Sequence, residues 1–346
     1  MYKRLLAVML SLLMILVLFA FCSEQKIKNT KADAASYTVK TEWENTNTQN
    51  KDYIKWVDFK VSASALNKAY NYDVSTLESE NHIDYIELLA LCAQRCGGDF
   101  HNFDLRKMDT FAEKIKNGEE IEKGKYYKYY YDSYYAVLAQ FVGEYAVQNG
   151  DGTWEEKYGL KAFSPIGAPF SFSHYKDFGN RRTYGFARSH LGNDLMGSIG
   201  TPIVAVESGT VEAIGWNRYG GWRIGIRSFD SMRYYYYAHL RKNKPYISNL
   251  KEGDIVKAGD VIGYLGMTGY STKENVNNIN VPHLHFGMQL IFDEVQKDGN
   301  NEIWIDVYEI VEFLNKNRTA VNKNGDGYER KNDFTERSLV ENGVCQ

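Results

Sequence analysis

The chain has 346 residues, 44% hydrophobic and 25% charged, which excludes wholesale disorder and leaves room for about two domains. A formal net charge of −3 gives no general footprint for nucleic acid or an anionic membrane. With 5 Pro and 29 Gly, collagen-like and Pro-rich linker classes are out, and the compositional oddity is 27 Tyr.

Lys3 and Arg4 precede an apolar run over residues 5–22. A basic start followed by such a run predicts a signal peptide or an N-terminal membrane anchor, and places the protein outside the cytoplasm, secreted or held on the outer face of the cytoplasmic membrane. Residues 23–57 are polar and aperiodic and read as a spacer. Residues 58–150 turn helical. Ile83, Ile86, Leu89 and Ala90 recur at helical spacing and Gly97-Gly98 ends that helix. A second helix is predicted over 126–147, its start crowded with tyrosines that suit packing within a small helical domain better than sugar stacking. Cys92 and Cys96 share a helix face without zinc-finger spacing; with Cys345 at the chain end and Cys22 in the apolar run, no disulfide framework is legible.

Residues 151–185 read as a connection. Beyond them the texture changes to short β-rich runs, with strands predicted at 203–206, 210–215, 223–228, 233–240, 255–256, 261–265 and 283–290, and a closing helix at 306–314. The fold class is therefore α+β: a preceding small helical domain, then an antiparallel β-sandwich or open barrel over 186–316. Short local connections predict that residues 160–318 fold autonomously. Residues 317–346 read as a loose polar tail.

Four of seven histidines fall in the β region: His190, His239, His283 and His285. Along His283-Leu284-His285-Phe286-Gly287-Met288 strand alternation sends His283, His285 and Gly287 to one side and the apolar residues to the other. Two imidazoles about 7 Å apart then share the open face, one able to bind a metal while its neighbour reaches a water. His190 and Asp194, four residues apart around Gly192, supply another imidazole and a carboxylate. Two His and one Asp are donor types suited to zinc, with a fourth position left for water. Alternation along Tyr235, Tyr237 and His239 puts these three on a common face.

His190-x3-Asp194, Ala238-His239 and His283-x-His285 occur in the order seen in the lysostaphin/LytM-type zinc endopeptidases, and residues 200–206, 209–211 and 253–263 resemble that family's connecting sequence. The resemblance covers about residues 184–314. It implies one Zn2+ held by His190, Asp194 and His285, with His239 and His283 as a catalytic pair beside it and Tyr184 steadying the oxyanion. The implied activity is hydrolysis of peptide bonds in peptidoglycan stems or cross-bridges. In that chemistry zinc lowers the pKa of its water and polarises the scissile carbonyl, while an imidazole moves the proton. Two departures stand out: the 270–281 stretch is longer than the family usually shows, and no wall-targeting repeat or SH3-like domain is evident. The alternative is a non-catalytic envelope scaffold, or an activator of another wall hydrolase, built on the same fold.

Overall fold

The computed structural model describes residues 53–297, 299 and 301–344. The expected signal or anchor, most of the spacer, Cys22 and Cys345 lie outside the described residues. Among the described residues no helix is long and apolar enough to cross a membrane.

Four helices come first: α1 (Ala63–Ser75), α2 (Tyr85–Cys96), α3 (Arg106–Lys116) and α4 (Tyr127–Leu138). Helix α2 starts where the Asp84 carboxylate accepts the Glu87 N–H at 2.7 Å, and ends where Gly97 takes φ +65°. Those are the side-chain cap and left-handed stop that its sequence offers. Helix α4 ends nine residues earlier than the 126–147 expectation, which is corrected here. Beyond it, β1 (Val142–Gln148) pairs antiparallel with β2 (Trp154–Leu160), so part of the expected connection is a hairpin. The polar, glycine-rich turn Asn149-Gly150-Asp151-Gly152 is the local signal for it.

The remaining elements are β3 (Ser173–His174), β4 (Arg181–Arg182), β5 (Arg188–Ser189), β6 (Asn193–Met196), β7 (Pro202–Val204), β8 (Gly209–Asn217), β9 (Gly221–Ser228), β10 (Arg233–Ala238), β11 (Ile255–Val256), β12 (Val261–Tyr264), β13 (His283–Leu290), β14 (Ile303–Ile305) and α5 (Tyr308–Leu314). An antiparallel sheet runs in the order β11-β8-β9-β10-β13-β6-β3, with β14 also paired to β13. A ribbon of β7 and β12 contributes Ile203 and Ile262 to the same core as Ile224, Tyr235 and Tyr237 of the large sheet. The class is α+β with mostly antiparallel sheet, as expected.

Residues 317–344 are not the loose tail expected of them. Within them β15 (Val321–Asn324) and β16 (Gly327–Arg330) form a hairpin, β17 (Phe334–Glu336) pairs with β1, and α6 (Arg337–Glu341) follows. Phe334 and Leu339 are fully buried against Phe163, Val204 and Tyr264. Polarity misled here because these strands lie at sheet edges, where most side chains face water and a few anchors suffice.

The core is also continuous between helices and sheet. Leu89, Val137 and Leu138 belong to the same buried cluster as Tyr235, Phe286 and Phe313. Each such large side chain, fully buried, stabilises by about 1.5–3 kcal/mol. Arg233, with no exposed surface, ties the two parts together: its guanidinium donates to Glu207 at 2.9 and 3.1 Å, to Asp230 at 2.5 Å and to the Ala136 carbonyl of α4 at 2.7 Å. This packing runs against an autonomous β unit over 160–318. The tyrosines of α4 serve packing, with Tyr134 buried and Tyr127, Tyr131 and Tyr135 stacked at centroid spacings of 6.0 and 6.1 Å.

Candidate metal centre and active site

Register places the first cluster. Strand β13 lies between β10 and β6, and His285 pairs with Asp194 on one side and Ala238 on the other. Directly paired residues share a face, so Asp194 and His285 stand side by side. His190 enters from the loop before β6, where Gly192 makes the bend. A Cβ on Gly192 would lie 2.5 Å from the Phe286 carbonyl oxygen and 2.9 Å from the His285 ring, so only glycine lets this loop run so close to β13.

The result is a tight triangle. His190 Nε2 is 2.7 Å from His285 Nδ1 and 3.1 Å from Asp194 Oδ1, and His285 Nδ1 is 3.4 Å from Asp194 Oδ1. Ligands about 2.0–2.2 Å from a tetrahedral zinc are separated by roughly 3.3–3.5 Å. The donor types fit a single metal ion; one spacing matches that separation and the other two are shorter, as in a closed metal-free cluster, and these three residues form a group able to hold an ion.

Two residues that sequence reasoning missed hold the triangle in place. His190 Nδ1 lies 3.0 Å from the Asp177 carbonyl oxygen and 3.2 Å from its carboxylate. With Nδ1 turned to Asp177, Nε2 is the nitrogen that faces Asp194 and His285; in the metal-free protein it donates to Asp194, and it would bind a metal once that proton leaves. Arg182 donates to the Asp177 carboxylate at 2.9 Å and to Asp194 Oδ2 at 3.0 Å, leaving Oδ1 directed at the imidazoles. Asp177 also accepts the Asp194 N–H at 3.2 Å. No spacing rule marks either residue, because their contacts cross a loop whose path the sequence does not specify.

The second pair of histidines lies against the first. His283 Nε2 is 3.7 Å from Asp194 Oδ1, while its Nδ1 donates to the Val281 carbonyl at 2.8 Å. The His239 ring is 4.8 Å from that of His283 and 5.9 Å from that of His285. Its arrival there corrects the alternation argument. Tyr235 and Tyr237 pair with Met288 and Phe286 and point into the core, whereas Tyr236 and Ala238 share the face of Gly287 and His285. A continued strand would bury His239 beneath the sheet. Strand β10 instead stops at Ala238, and His239 adopts φ +63°, with its Nδ1 donating to the Thr268 carbonyl at 2.9 Å. A non-glycine residue in that region is a local strain held by its surroundings.

Tyr184 lies outside the triangle, its ring 4.9 Å from Tyr270, which in turn is 5.7 Å from His239. Tyr270 belongs to the long 270–281 stretch, so that stretch supplies a wall beside the histidines. A cavity of about 660 Å³ bordered by Lys244, Tyr264, Asp326 and Arg330 does not include any of these histidines.

Charge is distributed unequally across the cluster. Burial alone would lower the His190 imidazole, but the Asp177 and Asp194 carboxylates outweigh it and raise its pKa to about 9. Burial would raise the Asp194 carboxyl, yet hydrogen bonds from His190 and His285 hold it far below the usual range. His285 is lowered, chiefly by burial. His239 is pushed well below an ordinary imidazole by burial and by the neighbouring His283 and His285. The metal-free triangle thus carries an ionised Asp194 paired with a protonated His190, beside a His285 that burial favours in its neutral form.

Residues 188–298, which include all four histidines and Asp194, match Peptidase family M23. An L-Ala--D-Glu endopeptidase of Bacillus subtilis is 39% identical over 124 residues, 36% of this chain and 36% of that protein. Lysostaphin of Staphylococcus simulans is 44% identical over 98 residues, 28% of this chain and 17% of its own length. A solved lytM structure from Ruminococcus gnavus aligns over 77% of this chain and 92% of its own at 22% identity, with a TM-score of 0.49. The chain spans only a minor part of the length of these curated relatives, about a third or less.

Proposed function

We propose that the protein is a zinc-dependent endopeptidase that hydrolyses peptide bonds in bacterial peptidoglycan, acting outside the cytoplasmic membrane. The observation that carries this reading is the convergence of His190 Nε2, Asp194 Oδ1 and His285 Nδ1 within 2.7–3.4 Å of one another, with two further imidazoles against them. A Zn2+ held by these three atoms supplies a Lewis acid for a peptide carbonyl and lowers the pKa of a water.

The chain's own residues do the rest. Asp177 and Arg182 fix the tautomer of His190 and the orientation of Asp194. His239 and His283 are each anchored through Nδ1–H to a backbone carbonyl, which leaves Nε2 as the proton-accepting nitrogen. His239, kept neutral, takes the proton of the attacking water, and the pair returns a proton to the leaving amine. Tyr184 offers its hydroxyl to the developing oxyanion from the rim. Relatives named as L-Ala--D-Glu endopeptidase and lysostaphin support a wall-peptide substrate, and residues 5–22 support export.

A non-catalytic scaffold has no use for two further imidazoles set against a complete donor triangle, one of which, His239, burial keeps neutral, and that retention favours the enzyme. The test is digestion of purified peptidoglycan by the full chain with and without chelator, reading new amino termini by mass spectrometry. New termini that vanish with chelator support the reading; their absence under both conditions overturns it.

A further inference from the structure

The wall beside His239 carries more than the one tyrosine hydroxyl that the hydrolysis uses. Tyr184, Tyr219, Tyr270 and Phe186 form an aromatic patch, with Tyr184 4.9 Å from Tyr270 and 6.4 Å from Tyr219, and Phe186 5.7 Å from Tyr219. Phe186 is 55% exposed and Tyr184 38%. Two guanidinium groups lie on the patch. Arg188 sits 4.7 Å from the Tyr219 ring and 5.5 Å from that of Tyr270; Arg218 sits 5.6 Å from Tyr219 and 5.9 Å from Tyr184. Arg188 is further held by the Tyr184 carbonyl at 2.9 Å. Among the described residues no carboxylate pairs with either, in contrast to Arg182, which Asp177 and Asp194 occupy.

Two like charges meeting on one tyrosine repel each other, in a chain whose net charge is −3. Stacking holds each planar group by its face and leaves N–H edges for an acceptor, and a forked pair of such edges matches a carboxylate. The patch adjoins the chemistry: Tyr270 touches both the Arg188 guanidinium and the His239 ring. An extended peptide advances about 3.4 Å per residue, so a group within a few residues of the scissile bond reaches the arginines.

Building on the peptidase reading, we propose that Arg188 and Arg218 form a subsite for a free carboxylate of the peptide, selecting acidic wall stems over neutral bridges. The aromatic faces fix the arginines and flank the peptide backbone. The carboxylate comes from an acidic residue within the stem or from its C-terminus.

The experiment compares three synthetic stem peptides with the full chain: both carboxylates free, the internal one amidated, and the C-terminal one amidated. Turnover by the metal-loaded protein is measured beside binding by calorimetry to the chelator-treated protein. We expect one amidation to lower kcat/KM and affinity about ten- to hundredfold, the worth of a charge-assisted hydrogen bond, and the sensitive position identifies the source. In the double variant Arg188→Met, Arg218→Met the ratio between free and amidated peptides should collapse towards one. Arg188→Lys, which keeps charge but loses the planar fork, should keep only part of it. Equal handling of all three peptides by the wild type, or an unchanged ratio in the double variant, overturns the subsite. Binding that discriminates without any cleavage leaves the subsite standing and overturns the peptidase reading instead.

Discussion

His239 and His283 face each other with ring centroids 4.8 Å apart although the alternation of β10 aims His239 at the opposite side of the sheet. The contact exists because the chain turns through φ +63° at His239, and because the segment carrying the Thr268 carbonyl passes close behind its ring. Gly269 permits that passage: a Cβ there would meet the Tyr219 carbonyl oxygen at 2.5 Å and His239 Nδ1 at 3.0 Å, at a φ of +123°.

Gly269→Ala should therefore displace His239 while leaving the donor triangle alone. A misplacement of about 1 Å at a reacting group costs roughly a hundredfold. The expected outcome is a fall of that order in kcat with metal content unchanged by mass spectrometry. A variant that retains wild-type turnover would show that the position of His239 is not critical.

Asp177→Ala removes the carboxylate beside His190 and one of the anchors of Arg182. Loss of such an orienting partner typically lowers metal affinity 10–100-fold. Competition with a chromogenic chelator measures it, and an unaltered affinity would remove Asp177 from the account.

The metal-free protein should lose stability as pH rises from about 6.5 to about 9. His190 is raised to about 9 when folded, against about 6.5 for a free imidazole, so its protonated form is favoured by folding. That contribution is fully present below about 6.5 and is lost as pH passes 9, a change on the order of 1–3 kcal/mol. His239 and His285, which are lowered, slope the other way and do so below about 6.5. Chemical denaturation of chelator-treated protein at several pH values checks this, with His190→Asn expected to flatten the decline.

Arg233→Ala should destabilise by about 3–5 kcal/mol, because Glu207 would keep a buried charge without its partner. The bond from Arg233 to the Ala136 carbonyl and the shared core also predict that a fragment starting near residue 160 melts well below the full chain. A fragment with an undiminished melting temperature would restore the β region as an independent unit.

Much of the sheet is legible in the sequence because its strands bury one face, and period-two alternation records that directly. The 283–290 expectation coincides with β13, and those at 223–228 and 255–256 lie on β9 and β11. His190, Asp194 and one of the two β13 histidines could be grouped because a donor set has recognisable chemistry; the choice of His285 over His283 rested on the family resemblance. What failed were features set by tertiary context. The β1–β2 hairpin is mostly half-exposed, so its alternation is faint, and its turn chemistry was the only clear mark. Strand β17 is placed by pairing with β1, nearly two hundred residues away in the chain, and by Phe334 alone entering the core deeply. Asp177 and Arg182 act across a loop, and His239 departs from alternation through one backbone angle that histidine rarely adopts.

The two histidines of β13 offer the most direct test of the central claim, that this triangle holds a catalytic metal with His283 outside it. His285 contributes Nδ1 to the triangle, whereas His283 Nε2 stays 3.7 Å from Asp194 Oδ1 and its Nδ1 is committed to a carbonyl. Zinc per chain by mass spectrometry, beside turnover on peptidoglycan, should show His285→Ala empty and inactive. His283→Ala should stay loaded while turnover falls about a hundred- to ten-thousandfold. An empty His283→Ala site beside a filled His285→Ala site would contradict the assignment.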